Sequence, residues 1–328
     1  MSRDETALHL PAQSIPPPKS ASAAAQAWLA AAAARIGGLS AATDDLEPSE
    51  RIARSAAAAV AFLRPMAAGF KGSFEAITLA NGVQLYRATP EGRSGALAQV
   101  AYFDIHGGGF VTGGGEMCQL LTKLRASDYG AEVFSVDYRL CPEHPYPAAL
   151  DDCMAAYREV LKRYDAKSLV VGGASAGGNL AAALMLRARD EGLPLPAALL
   201  LLTPAVDVTR SGDSHQTNRF LDVTLYGGAD AISAYAGGED PTHPYVSPLF
   251  GDFSKGWPAT FLTTGTRDLL LSDTVRMHRA LRREGVFADL HVTEAAPHGG
   301  FMGAGAPEDA DAMAQCRQFV RSAWGIAD

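Results

Sequence analysis

The chain of 328 residues has the length of about two average domains, although α/β proteins of this size often form one. Hydrophobic residues make up 48% and charged residues 20%, which is ordinary for a protein with a large core. The net charge of −8 and the lack of any Lys/Arg cluster argue against a nucleic-acid partner, since nucleic-acid-binding proteins normally carry a basic patch.

The N-terminal region differs in composition from the rest of the chain. Residues 1–20 contain four prolines and predict an irregular lead-in, whereas residues 21–70 are rich in Ala and predict two helices that are broken near Gly37-Gly38. The Ala-rich stretch 21–34 lacks the basic n-region of a signal peptide, and no segment approaches the ~20 apolar residues of a membrane span. We therefore expect a cytoplasmic protein without a membrane span.

From residue 74 onward, short β-prone runs alternate with helix-length segments. The predicted strands are Phe74–Leu79, Val83–Ala88, Val100–Ile105, Val133–Tyr138, Leu169–Gly172, Ala198–Thr203, Thr260–Thr264 and Ala288–Thr293. The predicted helices are Gly115–Tyr129, Ala148–Tyr164, Ala176–Arg189, Ser272–Glu284 and Glu308–Trp324. Asn81-Gly82 predicts a hairpin between the first two strands, which supplies an antiparallel edge. The alternation predicts an α/β protein, with a mostly parallel eight-stranded sheet and helices on both faces.

One long segment interrupts this alternation. About 55 residues, 204–258, separate the sixth and seventh strands, and a connection of that length is usually functional. Together with residues 1–70 it is expected to form a cap over the carboxyl edge of the sheet, where open α/β sheets bind ligands. The predicted organisation is N-terminal cap helices in 1–70, a catalytic domain in 71–203 and 259–328, and a cap insertion in 204–258.

A G-x-S-x-G sequence, Gly173-Ala174-Ser175-Ala176-Gly177, lies between the fifth strand and the following helix. On so sharp a turn the serine Oγ projects from the sheet edge, and the two glycines remove Cβ atoms that would clash. The helix that begins here directs its N–H groups and positive dipole end toward the serine. The pattern predicts Ser175 as a nucleophile, and the alternative is a tight turn without a catalytic role.

The loop after the third strand is His106-Gly107-Gly108-Gly109-Phe110. Three glycines allow the backbone to aim N–H groups at one point, as an oxyanion requires, and each such donor is typically worth about 2.7–4 kcal/mol. Alone, the loop could be merely flexible. Because a G-x-S-x-G sequence follows about 70 residues later, the loop predicts the oxyanion hole that this kind of site needs.

A serine hydroxyl needs a base, and the base needs an orienting carboxylate, in the chain order Ser, acid, His. Asp268 follows the seventh strand and His298 follows the eighth, so both are expected within reach of Ser175. Asp273 is the alternative acid, although its position at a predicted helix start is typical of a capping residue. Other histidines lie within a helix, a strand or the insertion: His278, His291, His215 and His243.

Further residues are expected to support the site. His106, beside the glycine loop, is expected to hold it by hydrogen bonds, and His144 is a further supporting residue. Asp137 and Arg139 are candidates for a buried ion pair behind the site. The histidines show no H-E-x-x-H or comparable spacing, so no metal site is expected. The four cysteines form no C-x-x-C pair and are expected to be reduced, with a Cys141–Cys153 bridge as the alternative.

Three segments together resemble the bacterial hormone-sensitive-lipase-like esterases of the α/β-hydrolase superfamily. They are residues 106–110, the G-x-S-x-G-G-N run that ends at Asn179, and residues 137–152, D-Y-R-L-C-P-E-H-P-Y-P-A-A-L-D-D. The resemblance covers roughly residues 74–324. It implies an α/β-hydrolase fold with a helical cap, hydrolysis of short-to-medium acyl esters without a cofactor, and oxyanion donors in the N–H groups of Gly108, Gly109 and Ala176.

The chain departs from the family pattern at two places. Many relatives carry Asp where this chain has Ala174, which changes the hydrogen bonds available at the nucleophile turn. The family's His is commonly followed by Gly-Phe, whereas His298 is followed by Gly299-Gly300-Phe301. We therefore expect the additional glycine to shift the loop that carries His298.

The predicted function is ester hydrolysis by a serine carboxylesterase, in which Ser175 attacks, His298 transfers the proton and Asp268 orients the imidazole. A lactonase, an amidase or a deacetylase could use the same three residues, because specificity depends on the cap and the acyl pocket. A non-catalytic small-molecule receptor is a remote alternative, and the presence of all three residues argues against it. The expected partner is a small-molecule ester, and a homodimer is one alternative for the oligomeric state.

Overall fold

The computed structural model describes residues 8, 11–39, 47–226 and 234–326. Its central element is an eight-stranded sheet in the order β1-β2-β4-β3-β5-β6-β7-β8. The strands are β1 (Gly72–Thr78), β2 (Gln84–Pro90), β3 (Ala101–Ile105), β4 (Glu132–Asp137), β5 (Leu169–Ala174), β6 (Ala198–Leu202), β7 (Ala259–Gly265) and β8 (Ala288–Thr293). All eight predicted strands are present, and no end differs from the prediction by more than two residues.

The strand directions are those that the alternation predicts. β1 and β2 form the antiparallel hairpin, and Gly82 in its turn has a φ of 84°, which favours glycine. β2 is also antiparallel to β4, whereas every pair from β4 through β8 is parallel. Because parallel strands are covered on both faces, β6 can consist entirely of Ala and Leu.

Helices cover both faces of this sheet. The helices of the described residues are α1 (Ala23–Leu39), α2 (Pro48–Ala67), α3 (Glu116–Tyr129), α4 (Ala148–Leu161), α5 (Ala176–Asp190), α6 (Ser214–Thr217), α7 (Leu271–Arg283) and α8 (Pro307–Ala323). Neighbouring residues of one strand enter opposite cores, since side chains alternate across a sheet. Val171 packs in the core that includes α4, α5 and α7, and Val170 packs in the core that includes α3 and α8. The predicted α/β class is confirmed.

The first helix lies against the loop that carries His298. Trp28 of α1 meets the ring of Phe301 edge-on, at a centroid distance of 5.9 Å. The residues buried together here are Ala21, Ala25, Leu29, Ala295, Ala296, Phe301 and Ala306. α1 ends at Leu39, one residue beyond the predicted break at Gly37-Gly38. The N-terminal region is therefore part of the surroundings of the carboxyl edge of the sheet.

The insertion between β6 and β7 is mostly irregular. Its described residues contain α6 and two short 3₁₀ turns, Ala234–Ala236 and Pro248–Phe250, and residues 227–233 lie outside the description. The buried side chain of Asn179 ties the insertion to α5, because its Nδ2 donates to the carbonyls of Ala205 (2.8 Å) and Val246 (2.9 Å). The division of the chain into a catalytic domain and two cap segments stays a prediction.

Two expectations about the chain as a whole can be compared with the structure. No helix in the described ranges is long and apolar enough to cross a membrane. The cysteines Cys118, Cys141, Cys153 and Cys316 are buried and unbridged in the structure, so the alternative Cys141–Cys153 bridge is not formed there.

Candidate active site

Ser175 occupies the turn between β5 and α5, with φ 55° and ψ −118°. A positive φ is uncommon for a residue with a Cβ, so the surrounding structure must hold it. A Cβ on Gly173 would collide with the carbonyl oxygen of Gly177, and a Cβ on Gly177 would collide with that of Ile105. The two glycines of G-x-S-x-G are therefore required by close backbone approach, and they leave Ser175 half-buried at the carboxyl edge of the sheet.

The glycine loop after β3 lies against this turn. A Cβ on Gly107 would be 2.8 Å from the carbonyl oxygen of Ala174 and 3.4 Å from the Cβ of Ser175. Gly108 and Gly109 have φ values of 116° and 61°, which favour glycine. Among the described residues, no protein acceptor is found for the N–H groups of Gly108, Gly109 and Ala176. Their role as oxyanion donors stays a prediction.

His106 holds the glycine loop from behind, as expected. Its Nδ1 lies 2.8 Å from the carbonyl oxygen of Gly107, and its ring stacks on Tyr138 with a centroid distance of 4.1 Å. The Tyr138 hydroxyl donates to the His106 carbonyl at 2.9 Å. Burial lowers the pKa of His106, so a neutral ring that donates from Nδ1 fits this position. His144, in contrast, is exposed.

The predicted ion pair between Asp137 and Arg139 is wrong. Arg139 instead forms a bidentate pair with Asp152, with Nε–Oδ2 and Nη2–Oδ1 distances of 2.8 Å. Asp137 accepts hydrogen bonds from the Tyr86 hydroxyl (2.9 Å) and the Gly115 N–H (3.0 Å). The physical reason is the difference in burial. Asp152 on α4 is fully buried and Asp137 is only partly buried, so Asp152 has the greater need of a cationic partner.

His106, Cys118 and Asp137 offer ligand atoms within 4.8 Å of one another, so this group could hold a metal ion by distance alone. The spacing of histidines along the chain does not reveal this group, because His106 follows β3, Cys118 lies on α3 and Asp137 ends β4. Burial raises the pKa of Cys118 well above its ordinary value, so the uncomplexed thiol stays protonated. In this arrangement the three side chains pack together behind the glycine loop.

His298 and Asp268 form a hydrogen-bonded pair. Nδ1 of His298 lies 3.1 Å from Oδ1 of Asp268, and both side chains are buried. The Thr264 hydroxyl donates to the other oxygen of Asp268, and the Leu270 N–H donates to the oxygen that His298 shares, each at 2.9 Å. Since Nδ1 faces the carboxylate, Nε2 is the nitrogen of His298 that is left for proton exchange.

The charges around His298 favour its protonated form. Burial by itself lowers the pKa of His298, but the carboxylates of Asp268 and Asp222 outweigh it and raise the pKa above its ordinary value. Ser175, Asp268 and His298 follow β5, β7 and β8, whose parallel carboxyl ends share one edge of the sheet. Their catalytic roles stay predictions.

Asp273, the alternative acid, belongs to a second buried pair. Its Oδ1 lies 3.0 Å from Nε2 of His215, and its Oδ2 accepts the N–H of Asp207 at 3.1 Å. Burial raises the pKa of Asp273 to about 6, although His215 lowers it. The expectation that Asp273 caps a helix is wrong, because α7 has no side-chain cap and Asp273 faces the insertion instead.

The additional glycine after His298 is accommodated within its own loop. Gly299 and Gly300 have φ values of 80° and 79°. A Cβ on Gly300 would lie 2.6 Å from Oδ1 of Asp309, the same oxygen that accepts the Phe301 N–H at 3.0 Å. The two glycines thus turn the chain back into the buried Phe301, and the contact of His298 with Asp268 is kept.

Sequence reasoning missed one buried residue at this site, Asp222 of the insertion. Its Oδ2 accepts the N–H of Leu269 at 2.8 Å and the N–H of His298 at 3.3 Å. No local pattern marks it, because an Asp in an irregular segment is ordinarily exposed. Only the packing of the insertion against the loops after β7 and β8 buries it completely.

Known proteins are similar to this chain in sequence and in fold. A family model for the alpha/beta hydrolase fold matches residues 102–302. An acetyl-hydrolase of Streptomyces hygroscopicus is 35% identical over 185 residues, 55% of this chain and 61% of that protein. An esterase of Acinetobacter venetianus is 34% identical over 200 residues, 58% of this chain and 64% of that protein. The matched region thus spans less than two thirds of either relative's length.

Solved structures match over more of the chain. The crystal structure of esterase E25 is 35% identical, with a TM-score of 0.86, and the match covers 96% of this chain and 98% of that one. An esterase from the bacterial hormone-sensitive lipase family is 30% identical, with a TM-score of 0.78 over 91% of this chain and 98% of that one. The chain therefore belongs to the α/β hydrolase fold family, in which it resembles the bacterial hormone-sensitive-lipase-like esterases.

Proposed function

We propose that this protein is a serine carboxylesterase that hydrolyses short-to-medium acyl esters through an acyl-enzyme intermediate. The observation that carries the proposal is the buried His298–Asp268 pair, at the same sheet edge as the strained turn of Ser175. The relatives from Acinetobacter venetianus and the structure of E25 are named esterases, which supports the same reaction class.

In the proposed reaction, Oγ of Ser175 attacks the ester carbonyl while Nε2 of His298 takes its proton. The N–H groups of Gly108, Gly109 and Ala176 stabilise the negative oxygen of the tetrahedral intermediate. His298 returns the proton to the leaving alcohol, and a water molecule then releases the acid by the same steps. The carboxylate of Asp268, which lies 3.1 Å from Nδ1 of His298, stabilises the imidazolium that forms in each step.

The pH dependence of activity follows from the charges around His298. Protonated His298 cannot accept the proton of Ser175, so we expect kcat/KM to be low at acid pH and to rise as His298 loses its proton. Burial lowers the pKa of His298, but Asp268 and Asp222 raise it overall, which places the rise above the ordinary imidazole value of ~6.5. Rates on p-nitrophenyl acetate between about pH 5 and pH 9 measure this, and a rise centred clearly below ~6.5 would contradict it.

We propose that the N-terminal region and the insertion form the cap that limits acyl length. The N-terminal region approaches both loops of the site, since Trp28 packs on Phe301 and Arg267 donates to the carbonyl of Pro16 at 2.8 Å. In the insertion, Phe220 and Tyr226 are exposed and contact each other with a ring-centroid distance of 5.4 Å. A pocket enclosed on two sides has a limited depth.

A graded series of p-nitrophenyl esters tests both the function and the cap. We expect kcat/KM to peak at roughly two to eight acyl carbons, since each buried CH₂ contributes ~0.8 kcal/mol until the pocket ends. Deleting residues 1–40 should broaden the preference or abolish activity while the sheet stays folded by far-UV circular dichroism. An unchanged rate and an unchanged chain-length profile would show that this segment is not part of the pocket.

A second candidate, removal of acetyl groups, is supported by the relative from Streptomyces hygroscopicus, which is named an acetyl-hydrolase. The same ester series separates the two, because an acetyl-specific enzyme would cleave the acetate and almost nothing longer. Adding lactones, anilides and an N-acetylated amine tests the lactonase, amidase and deacetylase alternatives, which use the same three residues.

A further inference from the structure

The insertion places one carboxylate between the two loops that carry the predicted acid and base. Asp222 is fully buried, although it lies in an irregular segment. Its Oδ2 accepts the N–H of Leu269, the residue after Asp268, at 2.8 Å, and the N–H of His298 itself at 3.3 Å. One side chain therefore touches the backbone of both loops.

The other oxygen of Asp222 holds the side chain to its own segment. Oδ1 accepts the N–H groups of Thr224 and Leu225 at 2.9 Å and 3.0 Å, and it lies 3.4 Å from the nitrogen of His298. A carboxylate that accepts N–H groups at both oxygens has a fixed orientation, because rotation would break several hydrogen bonds at once. Asp222 is thus a rigid link from the insertion to the two loops.

The charge of Asp222 also acts on the site. The titratable groups that face it are His298 and Asp268, and those that face His298 are Asp268 and Asp222. Burial raises the pKa of Asp222, while His298 and the N–H donors lower it. Asp222 and Asp268 are two buried carboxylates near the imidazole of His298, and their negative charges repel each other. Packing alone therefore does not account for the presence of Asp222.

We infer that Asp222 is a positioning residue, which holds the backbone at Leu269 and His298 so that Nδ1 of His298 meets Oδ1 of Asp268. This inference rests on the proposed function, in which His298 is the base. Because Asp222 belongs to the insertion, the segment proposed to limit the acyl pocket also aligns the acid with the base. Packing of the insertion against these two loops and formation of the His298–Asp268 pair are then coupled.

Asp222→Asn tests this role with little change in side-chain shape. An amide nitrogen cannot accept a hydrogen bond, so the N–H groups on one side of the side chain lose their acceptor. We expect kcat to fall at least about tenfold with KM within about twofold, because a small displacement of a catalytic group slows the chemical step. The acid limb of the pH profile of kcat/KM should also move to lower pH, because the variant lacks a carboxylate that stabilises the His298 imidazolium.

Asp207→Asn is the matched control. Asp207 is likewise a buried carboxylate of the insertion, and it accepts hydrogen bonds from Ser211 (2.6 Å) and Arg276 (2.7 Å) instead of the loops that carry the acid and base. The loss of a buried carboxylate that stabilises the fold should lower the thermal stability of both variants. Only Asp222→Asn should shift the acid limb, and Asp207→Asn should keep kcat per folded molecule within about twofold of wild type.

The outcomes separate this inference from the proposed function. If wild type and Ser175→Ala are equally active, the proposed function fails, whatever Asp222 does. If wild type is active and Ser175→Ala is not, a wild-type kcat and acid limb in Asp222→Asn overturn the positioning role. Folding is checked by near-UV circular dichroism, with an osmolyte added if needed. If Asp222→Asn still does not fold while Asp207→Asn does, the role of Asp222 is in folding and the inference is also overturned.

Discussion

Ser175→Ala should reduce kcat on a short p-nitrophenyl ester by about 10⁴-fold or more. Oγ is the atom that forms the acyl-enzyme in the proposed mechanism, and alanine has nothing to replace it. The fold should be unaffected, since the backbone N–H of Ser175 still donates to the carbonyl of Leu202 and the half-buried side chain loses only a hydroxyl. Retention of more than about a hundredth of the wild-type kcat would mean that Ser175 is not the nucleophile.

A control variant and a covalent label make this result specific. Ser127→Ala removes an exposed hydroxyl on α3, whose contact is the carbonyl of Lys123, and should leave kcat unchanged. A reactive phosphonate should add one phosphonyl group to wild type on the peptide that contains Ser175, and none to that peptide of Ser175→Ala. Labelling of a different serine in wild type would contradict the assignment.

Asp268→Asn should lower kcat at least about 100-fold, while Asp273→Asn should change it by less than about threefold per folded molecule. Asp268 is the carboxylate that meets Nδ1 of His298, at 3.1 Å, so its charge stabilises the imidazolium. Asp273 meets His215 in a separate buried pair, at 3.0 Å. The two variants therefore remove the same charge from two similar His–Asp pairs, of which one is predicted to act in catalysis.

The contrast is measured as kcat on one ester, together with the thermal midpoint of each variant. Both carboxylates are fully buried, so both substitutions should lower stability, and rates are compared at a temperature at which both variants are folded. The reverse pattern, with loss of activity in Asp273→Asn alone, would move the role of the acid to Asp273 and the role of the base to His215.

Several parts of this protein follow from the sequence alone, because their cause is local. The β-hairpin depends on Asn81-Gly82, and Gly82 adopts the positive φ that the turn signal implies. The nucleophile turn depends on Gly173 and Gly177, where a Cβ would meet neighbouring backbone. The order of strands and helices follows from hydrophobic runs and breaks, so the α/β class was predictable, whereas the hydrolase fold was implied by the family resemblance. The pair formed by Asp268 and His298 followed from the chain order of such sites.

What the tertiary structure alone decided is which partners the buried carboxylates have. Arg139 pairs with Asp152 rather than Asp137, and Asp273 pairs with His215 rather than capping a helix. Asp222 is a candidate positioning residue only because the insertion packs against the loops after β7 and β8, which no local sequence pattern indicates. Each buried polar group needs a partner, but the free energy of burial does not depend on how far apart the partners lie in the sequence. The sequence therefore predicts that such partners exist, and only the packed structure selects them.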